Sequence, residues 1–388
     1  MSDLKLDSLR IQNFRTFRDL TIDRLGRVNL IVGKNNVGKT ALLEGIWLWG
    51  HPEYWQDLAE FLEMQFPSNG ELPQRGVINR RYQILKPHFH GYPNISEDPS
   101  LTIETGLFEE GGNLVKVSIV TSGEGDTTQK GGRLQGRTQE VPHPRIEIIP
   151  GPWVDSSVAE KFPTSKVSIK DPQLSLRTYD RGDRGLNLIP SDGLLEKDAS
   201  QFWDESIRSN LKERILSVVN TVVPGVEDIN WINEPSLEAA ISGETLRRIP
   251  DAASKRVPMV SLTGVKEAVP LSSLGEGTSR ALWIGSALVN SGSGVLLIDE
   301  VENGIHYSVQ PELWRMIFET AQDLDVQVFA TTHSSDCVKA FHQVSEDHEE
   351  EGMLVSLRRK RSDAEDIVAV PIDEEELEYA VESHTEVR

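Results

Sequence analysis

The sequence predicts an α/β fold. Three apolar runs carry this prediction: RVNLIVG at 27–33, GVLLID at 294–299 and VQVFATT at 326–332. Each run is short, and each is followed by a segment with the apolar spacing of a helix. Strands that alternate with helices in this way are typical of sheets covered by helices, so we expect the three runs to share one sheet.

The N-terminal segment is predicted to contain two further strands and one helix. Apolar residues at mostly alternating positions between Leu4 and Phe14 predict a strand, and LTIDRL at 20–25 predicts a second one after a turn. The helix is expected over 38–50, directly after the first apolar run. Residues 1–50 therefore form the first part of the predicted α/β unit.

Residues 51–265 carry different signals, which predict an inserted α+β lobe. LTIETGLF and NLVKVSIVT flank the turn EEGG and predict a hairpin, and RIEIIP predicts another strand. Apolar residues near helical spacing over 197–222 predict a helix that ends before Pro224.

The segment 266–388 is predicted to complete the α/β unit. Helices are expected over 277–290 and 308–324, and a short helix is expected after the third apolar run. Strands near 353–358 and 366–370 and a final acidic helix follow.

The composition excludes several classes of protein. No apolar run approaches the roughly 18 residues that a membrane helix needs, and we expect no signal peptide because the N-terminus lacks an apolar core. The single cysteine, Cys337, allows neither an intramolecular disulfide nor a Cys-based zinc site. The net charge of -21 argues against a protein that coats nucleic acid by itself. We therefore expect a cytoplasmic protein.

Residues Gly33–Thr40, GKNNVGKT, fit the pattern G-x-x-x-x-G-K-[ST], which binds nucleotide phosphates. Glycine permits the positive φ values that turn backbone N–H groups toward phosphate oxygens, and the following helix adds the positive end of its dipole. We expect Lys39 to bridge the β- and γ-phosphates and Thr40 to supply one Mg²⁺ ligand. The other predicted nucleotide-binding residues of this segment are Gly33, Asn35, Asn36, Gly38 and Ala41.

Two acidic residues and one histidine follow the other two apolar runs. Asp299 and Glu300 come at the end of the second run, and His333 comes at the end of the third. The carboxyl ends of such strands are where α/β sheets place their ligands. Asp299 is predicted to hold Mg²⁺ through water, and Glu300 to orient and deprotonate the attacking water. His333 is predicted to contact the γ-phosphate or that water.

The segment SLGEGTSR places Ser273 and Gly275 at the predicted start of the helix over 277–290. A serine and glycines at a helix N-terminus can form another anion site. The spacing of Ser273 and Glu276 also fits an ordinary capping box, in which the serine hydroxyl caps the helix. The residues alone leave both interpretations open.

Together these motifs resemble the ABC-type ATPase heads of the RecF, SMC and OLD-like group, which includes ATPase subunits of prokaryotic anti-phage systems. The resemblance covers residues 4–50 and 268–345. It implies a P-loop ABC-type ATPase head with a mixed sheet, whose two parts, 1–50 and 266–388, are interrupted by the long α+β insertion lobe at 51–265.

The resemblance also implies roles for residues outside the phosphate loop. The segment NFR at 13–15 stands where the group has the same letters, which implies that Arg15 contacts the nucleotide. SLGEGTSR resembles the ABC signature motif, with Ser273 in the serine position and Leu274 where glycine is usual. By the same analogy, His306 is expected at a subunit interface.

The mechanism that the resemblance implies is Mg²⁺-dependent ATP hydrolysis linked to association of heads. ATP is held by Lys39 and Thr40 of one chain and capped by Ser273 of another, and hydrolysis at Glu300 releases the pair. Nucleotide joined to both heads stabilises the closed state through its differential affinity. The expected partners are further copies in a homodimer or higher homo-oligomer and a separate effector protein, with no membrane.

Two functional hypotheses remain open. The first is an ATPase switch that serves nucleic-acid transactions or phage defence through a partner, and the second is an ATP-binding scaffold with negligible turnover. A GTPase is disfavoured because the chain has no N-K-x-D segment, which reads guanine, and a small-molecule kinase is disfavoured because the signature-like SLGEG has no role in one. Nucleic-acid binding itself remains possible through two basic segments, 79–92 and 358–361, whose alternative is a solvated surface. About 55 residues follow His333, too few for a nuclease domain.

Overall fold

The computed structural model describes residues 4–51, 86–91, 100–105, 113–120, 145–149, 165–168, 185–194, 196–233, 256–348, 351–360 and 363–372. The predicted final acidic helix and most of the basic segment 79–92 lie outside the described residues.

The elements are numbered here in chain order. The strands are β1 (Leu9–Phe14), β2 (Phe17–Ile22), β3 (Val28–Gly33), β4 (Ser100–Thr105), β5 (Asn113–Val120), β6 (Arg145–Ile149), β7 (Ser165–Ser168), β8 (Leu186–Ile189), β9 (Val226–Asn233), β10 (Arg256–Leu262), β11 (Val269–Pro270), β12 (Val295–Ile298), β13 (Gln327–Thr331), β14 (Gly352–Lys360) and β15 (Asp363–Ile372). The α-helices are α1 (Lys39–Gly50), α2 (Glu196–Arg208), α3 (Lys212–Val222), α4 (Glu276–Asn290), α5 (Gln310–Leu324) and α6 (Ser335–Ser345).

The central sheet has the strand order β15-β14-β3-β13-β12-β8. Neighbours from β14 to β8 run parallel, and β15 joins β14 in an antiparallel hairpin. Every residue of β3, β12 and β13 is buried, which explains their continuous apolar runs, because helices or a second sheet cover both faces of such strands. The predicted α/β fold with a mixed sheet is therefore confirmed.

Two antiparallel sheets accompany the central one. The larger has the order β2-β1-β4-β5-β6-β7, and it includes the predicted hairpin of β4 and β5. The smaller has the order β11-β10-β9. Within the range 51–265, β4 pairs with β1 and β8 pairs with β12, so strands of this range extend sheets built by the ends of the chain. The division into 1–50, 51–265 and 266–388 stays a prediction.

The core has one layer on each face of the central sheet. Leu42 and Ile46 of α1 are fully buried in a cluster that joins the central sheet to the sheet of β1 and β2. On the other face, α5 and α6 pack together, with Trp314 and Phe341 in an edge-to-face contact at 5.0 Å between ring centroids. Among the described residues, no helix has the length and apolar character needed to cross a membrane.

The helix predicted over 197–222 is wrong in one respect, because two helices occupy this range. α2 ends at Arg208 and α3 begins at Lys212. Asn210 between them has φ 57°, a left-handed conformation that interrupts a right-handed helix and that asparagine tolerates. The second helix ends before Pro224, as predicted.

Candidate active site

The register of the central sheet brings the predicted site together. Ile298 of β12 pairs with Ala330 of β13, and Thr331 of β13 pairs with Ile31 of β3. The three parallel strands therefore end at the same edge of the sheet. The phosphate loop, the acidic pair and the histidine all follow these ends.

The backbone of the phosphate loop is shaped for an anion. Gly38 has φ 93°, and a Cβ at this position would overlap Thr16 and Phe17, so only glycine fits. The helix α1 starts directly afterwards with no side-chain cap, and its first helical hydrogen bond runs from the N–H of Leu42 to the carbonyl of Gly38. The N–H groups of Thr40 and Ala41 precede that bond and face the position where phosphate oxygens bind at helix N-termini.

Three further residues of the loop are predicted to bind the nucleotide, and that role stays a prediction. Asn35 and Asn36 are exposed, and Asn36 has φ 62°. The ammonium group of Lys39 lies across the loop, where it donates to the carbonyl oxygen of Gly33 at 2.8 Å. A cation held at the mouth of the loop is suited to phosphate binding as a point charge.

A chain of hydrogen bonds joins the phosphate loop to the acidic pair. The hydroxyl of Thr40 donates to Oδ2 of Asp299 at 2.9 Å, and the hydroxyl of Thr331 donates to Oδ1 of Asp299 at 2.6 Å. The backbone N–H of Glu300 in turn donates to the Thr331 hydroxyl at 2.8 Å. Asp299 is thereby fixed by both of its oxygens, and Thr331 is a supporting residue.

The donor set at Thr40 and Asp299 fits Mg²⁺. One hydroxyl and one carboxylate oxygen lie 2.9 Å apart, and Mg²⁺ prefers oxygen ligands from one or two protein groups, with phosphate and water filling the remaining positions. Among the described residues, no group of three or more His, Cys, Asp or Glu side chains forms a separate cage for a metal.

Glu300 has an unusual backbone conformation that is held from several sides. Its φ is 51°, a left-handed value that costs free energy for a residue with a side chain. The guanidinium group of Arg280 donates to the carbonyl oxygens of both Asp299 and Glu300. The side-chain amide of Asn303 donates to Oε2 of Glu300 at 2.8 Å. These contacts aim the carboxylate, which is about one-third exposed.

His333 lies beside Glu300 and also beside Glu302, a carboxylate that was not among the predicted site residues. The predicted contact of His333 with the γ-phosphate or the attacking water stays a prediction. The Nδ1 atom of His333 is 3.5 Å from Oε1 of Glu300 and 3.7 Å from Oε1 of Glu302. Its backbone N–H donates to the same Glu302 oxygen at 3.2 Å. The signal that could have found Glu302 is its position two residues after Glu300, in the same turn at the sheet edge.

Arg15 lies next to the site but forms an ion pair within the protein. Its Nε is 2.8 Å from Oε2 of Glu44, which lies one helical turn after Thr40 on α1. Burial raises the pKa of Glu44, the charge of Arg15 offsets this rise in part, and the nearby Asp299 carboxylate adds to it. The nucleotide contact of Arg15 stays a prediction.

The capping-box interpretation of SLGEGTSR is wrong. Ser273 lies in a 3₁₀ turn, Leu271–Leu274, and its hydroxyl donates to the carbonyl of Pro270 at 2.6 Å. Gly275, with φ 93°, is the residue before α4, and no side chain caps this helix. Because Ser273 sits in the turn before Gly275, it is displaced from the capping position.

Both signature residues and the expected interface histidine lie at the surface. Ser273, Gly275 and His306 are exposed, and a Cβ on Gly275 would meet no atom within 4 Å. His306 packs its ring against Tyr307 at 4.3 Å between centroids, and Tyr307 is 62% exposed. The positions of these residues at an interface stay predictions.

One basic residue near the phosphate loop belongs to the segment 358–361, for which the sequence analysis leaves nucleic-acid binding or a solvated surface open. β14 runs parallel to β3 with Leu357 opposite Gly33, so the basic residues that follow Leu357 extend past the end of β3. The guanidinium group of Arg359 donates to the carbonyl of Asn36 in the phosphate loop at 3.1 Å. The segment 358–361 therefore begins beside the nucleotide site.

The fold and this constellation define a P-loop ATPase head. The family model of the AAA ATPase domain matches residues 4–66, and the model described as "AAA domain, putative AbiEii toxin, Type IV TA system" matches residues 247–336. The first range holds the phosphate loop, and the second holds the signature-like segment, the acidic pair and His333. The two segments that hold the phosphate loop and the acidic pair are therefore both similar to AAA-type ATPase domains.

Curated relatives agree with this class. An "ATP/GTP phosphatase" of Helicobacter pylori is 24% identical over 361 residues, which cover 87% of this chain and 88% of the relative. The "DNA replication and repair protein RecF" of Clostridioides difficile is 47% identical over 45 residues, which are 12% of each chain. The predicted resemblance to the RecF, SMC and OLD-like group is confirmed.

Solved structures of SMC heads also align with the chain. The SMC head bound to the C-winged helix domain of ScpA has a TM-score of 0.48 at 9% identity, covering 95% of this chain and 97% of that chain. The SMC head domain from Thermotoga maritima has a TM-score of 0.42 at 12% identity, covering 95% and 100%.

Proposed function

We propose that the protein is a Mg²⁺-dependent ATPase switch whose heads associate when ATP is bound. Lys39 and the N-terminal turn of α1 hold the phosphates. Thr40 and Asp299 are the residues that hold Mg²⁺, which neutralises phosphate charge when bound. Glu300 orients the attacking water and accepts its proton, and His333 lies beside it.

The observation that carries this proposal is the hydrogen-bond chain from Thr40 through Asp299 and Thr331 to Glu300. It joins the end of the phosphate loop to the backbone N–H of Glu300, whose φ of 51° is strained and whose carboxylate is held separately by Asn303. Strain of this kind persists where the surroundings over-determine it, and it clusters at functional sites. A site that only binds ATP would need the hydrogen bond between Thr40 and Asp299. It would not need a Glu300 side chain held in a fixed orientation.

The exposed signature segment supports the proposed association. Ser273 and Gly275 lie at the surface at the start of α4, and the space next to Gly275 is open. In the proposed closed state, Ser273 of one head caps the ATP held by Lys39 of the other. A homodimer is the simplest such arrangement, and a higher oligomer uses the same contact.

The solution mass of Glu300→Gln tests the association, because this variant is expected to bind ATP without releasing it as ADP. Light scattering with and without Mg-ATP should show a doubling of mass that depends on nucleotide. An unchanged monomer would contradict self-association, and a large mass independent of nucleotide would contradict the ATP-linked switch.

The second candidate function is an ATP-binding scaffold or sensor that turns over negligibly and holds a separate effector. The exposed Tyr307 beside His306, close to the acidic turn, favours a protein partner near the site. ATP turnover by the wild type separates the two candidates, because the scaffold hypothesis predicts none above the Glu300→Gln background. We propose that the protein acts in the cytoplasm under either hypothesis. Nucleic-acid transactions and phage defence are the pathways to test once an effector protein is identified.

A further inference from the structure

Glu302 is a buried carboxylate with no role in the hydrogen-bond chain described above. Its side chain is only 9% exposed. Oε1 accepts the backbone N–H of His333, and Oε2 is buried with no hydrogen-bond partner among the described residues. Burying a carboxylate in this way costs free energy, so the contacts that it does make need an explanation.

The negative charge of Glu302 is partly balanced by the guanidinium group of Arg280. Arg280 is 2% exposed, and this burial lowers the pKa of its guanidinium group. The nearby carboxylates of Asp299, Glu302 and Glu300 act in the opposite direction and offset part of that lowering. The guanidinium stays charged because its ordinary pKa is far above neutrality. Glu302 therefore lies within electrostatic reach of the same buried cation as Asp299 and Glu300.

The ring of His333 has two carboxylates near one nitrogen. Nδ1 is 3.5 Å from Glu300 Oε1 and 3.7 Å from Glu302 Oε1. A proton on Nδ1 is stabilised by both oxygens, whereas a lone pair at this position would face two negative charges. This geometry favours the tautomer with its proton on Nδ1 and its lone pair on Nε2.

Asn303, the residue after Glu302, holds the side chain of Glu300. The amide of Asn303 donates to Glu300 Oε2 at 2.8 Å and to the carbonyl of Ser191 at 3.0 Å. One oxygen of Glu300 is thus tied down by Asn303, and the other is the one that faces His333. Two adjacent residues of a single turn hold the two groups on which the proposed reaction depends.

We propose that Glu302 is the positioning residue of His333. Its carboxylate holds the backbone at 333 through one hydrogen bond and orients the imidazole through the charge next to Nδ1, as outer carboxylates do for functional histidines. Glu302 does not touch the reacting atoms. The inference rests on the proposed ATPase function only for its kinetic consequence.

The kinetic test is a double-mutant cycle in steady-state ATP hydrolysis. Glu302→Ala should lower kcat by about 10- to 100-fold with KM for ATP within about twofold, because the loss falls on the reaction and not on binding. Glu302→Gln keeps an oxygen for the His333 N–H but loses the charge, so its kcat should lie between those of the wild type and Glu302→Ala. The double variant Glu302→Ala with His333→Ala should be no slower than His333→Ala alone.

A structural role for Glu302 predicts a different pattern. The effects of Glu302→Ala and His333→Ala would then multiply, and that result would overturn the proposal. Glu351→Gln is the matched control, since Glu351 is also a largely buried carboxylate with an unpartnered Oε2, and it lies at the opposite end of β3 near Arg27. Glu351→Gln should leave kcat unchanged, even if its loss of Tm equals or exceeds that of Glu302→Gln.

A spectroscopic measurement tests the inference without ATP. In protein with ¹⁵N-labelled histidine, the signals of His333 are assigned by their loss in His333→Ala. The wild-type ring should show a protonated Nδ1 and an unprotonated Nε2, and Glu302→Ala should shift this balance toward the other tautomer. Identical His333 shifts in both proteins would overturn the inference, even if ATP hydrolysis at Glu300 is established. A wild type without turnover would instead contradict the proposed function and leave this tautomer test decisive.

Discussion

Arg280 and Glu300 are joined by a hydrogen bond of 3.0 Å from the guanidinium of Arg280 to the backbone carbonyl of Glu300. The same guanidinium donates to the carbonyls of Asp299 and Pro190. Arg280 belongs to α4, the helix that starts directly after the exposed Ser273 and Gly275. The segment proposed to contact a second head is therefore tied by one buried side chain to the strained turn of Glu300, the carboxylate that we propose to be catalytic.

Arg280→Ala is expected to lower the stability of the fold and to abolish turnover. Three backbone carbonyls lose their buried, charged donor, which should cost about 3 kcal/mol of unfolding free energy. Arg280→Lys keeps the charge but cannot span three carbonyls, so it should retain more stability and still turn over slowly. Urea unfolding and phosphate release measure the two effects, and normal turnover in both variants would contradict the role of Arg280.

Lys39→Ala should weaken ATP binding by about 100-fold, because a charged donor to the phosphates is lost. The Lys39 ammonium donates to the carbonyl of Gly33 in this structure, so the fold should change little. Isothermal titration with a non-hydrolysable ATP analogue measures the affinity. An unchanged affinity would remove the assignment of the phosphate loop.

Arg359→Ala should raise KM for ATP by about 3- to 10-fold with kcat largely unchanged. Arg359 holds the carbonyl of Asn36 and places a cation beside the phosphate loop, which affects binding more than chemistry. Arg358→Ala is the control, since the neighbouring Arg358 instead donates to the hydroxyl of Ser356 within its own strand. An equal rise of KM in both variants would indicate a general charge effect and contradict a specific role for Arg359.

Ser273→Arg should block association of heads while ATP binding to each head stays intact. Ser273 is exposed, and its hydroxyl donates to the nearby carbonyl of Pro270. A long side chain at this surface position is therefore expected to be accommodated in the monomer. The variant is combined with Glu300→Gln, and mass is measured with Mg-ATP. A normal ATP-dependent dimer would remove Ser273 from the interface.

The parts of the fold that the sequence predicted well are those with a strong local pattern. The buried strands β3, β12 and β13 are apolar runs in the sequence, and the phosphate loop has the spacing of the motif G-x-x-x-x-G-K-[ST] at the end of β3. The break at Asn210 was missed because apolar spacing continues on both sides of a single left-handed residue.

The supporting residues of the site were harder to predict, because their roles depend on contacts between distant segments. Arg280 reaches a turn about twenty residues later, and Arg359 reaches a loop more than three hundred residues earlier. In the sequence, Glu302 is simply an acidic residue two positions after Glu300, with nothing that marks it as buried. Its burial and its hydrogen bond to His333 arise only when β12 and β13 are paired.

The most direct test of the account is phosphate release from Mg-ATP by the wild type and by Glu300→Gln, with ATP affinity measured for both. The side chain of Glu300 is held by Asn303, and its backbone is fixed in a strained conformation. Because glutamine has nearly the same shape, Glu300→Gln should bind ATP with an affinity within about twofold of the wild-type value. Turnover should fall by at least about 100-fold, because the group that accepts the water proton is lost. Equal turnover by the two proteins, or none by the wild type, would contradict hydrolysis at Glu300.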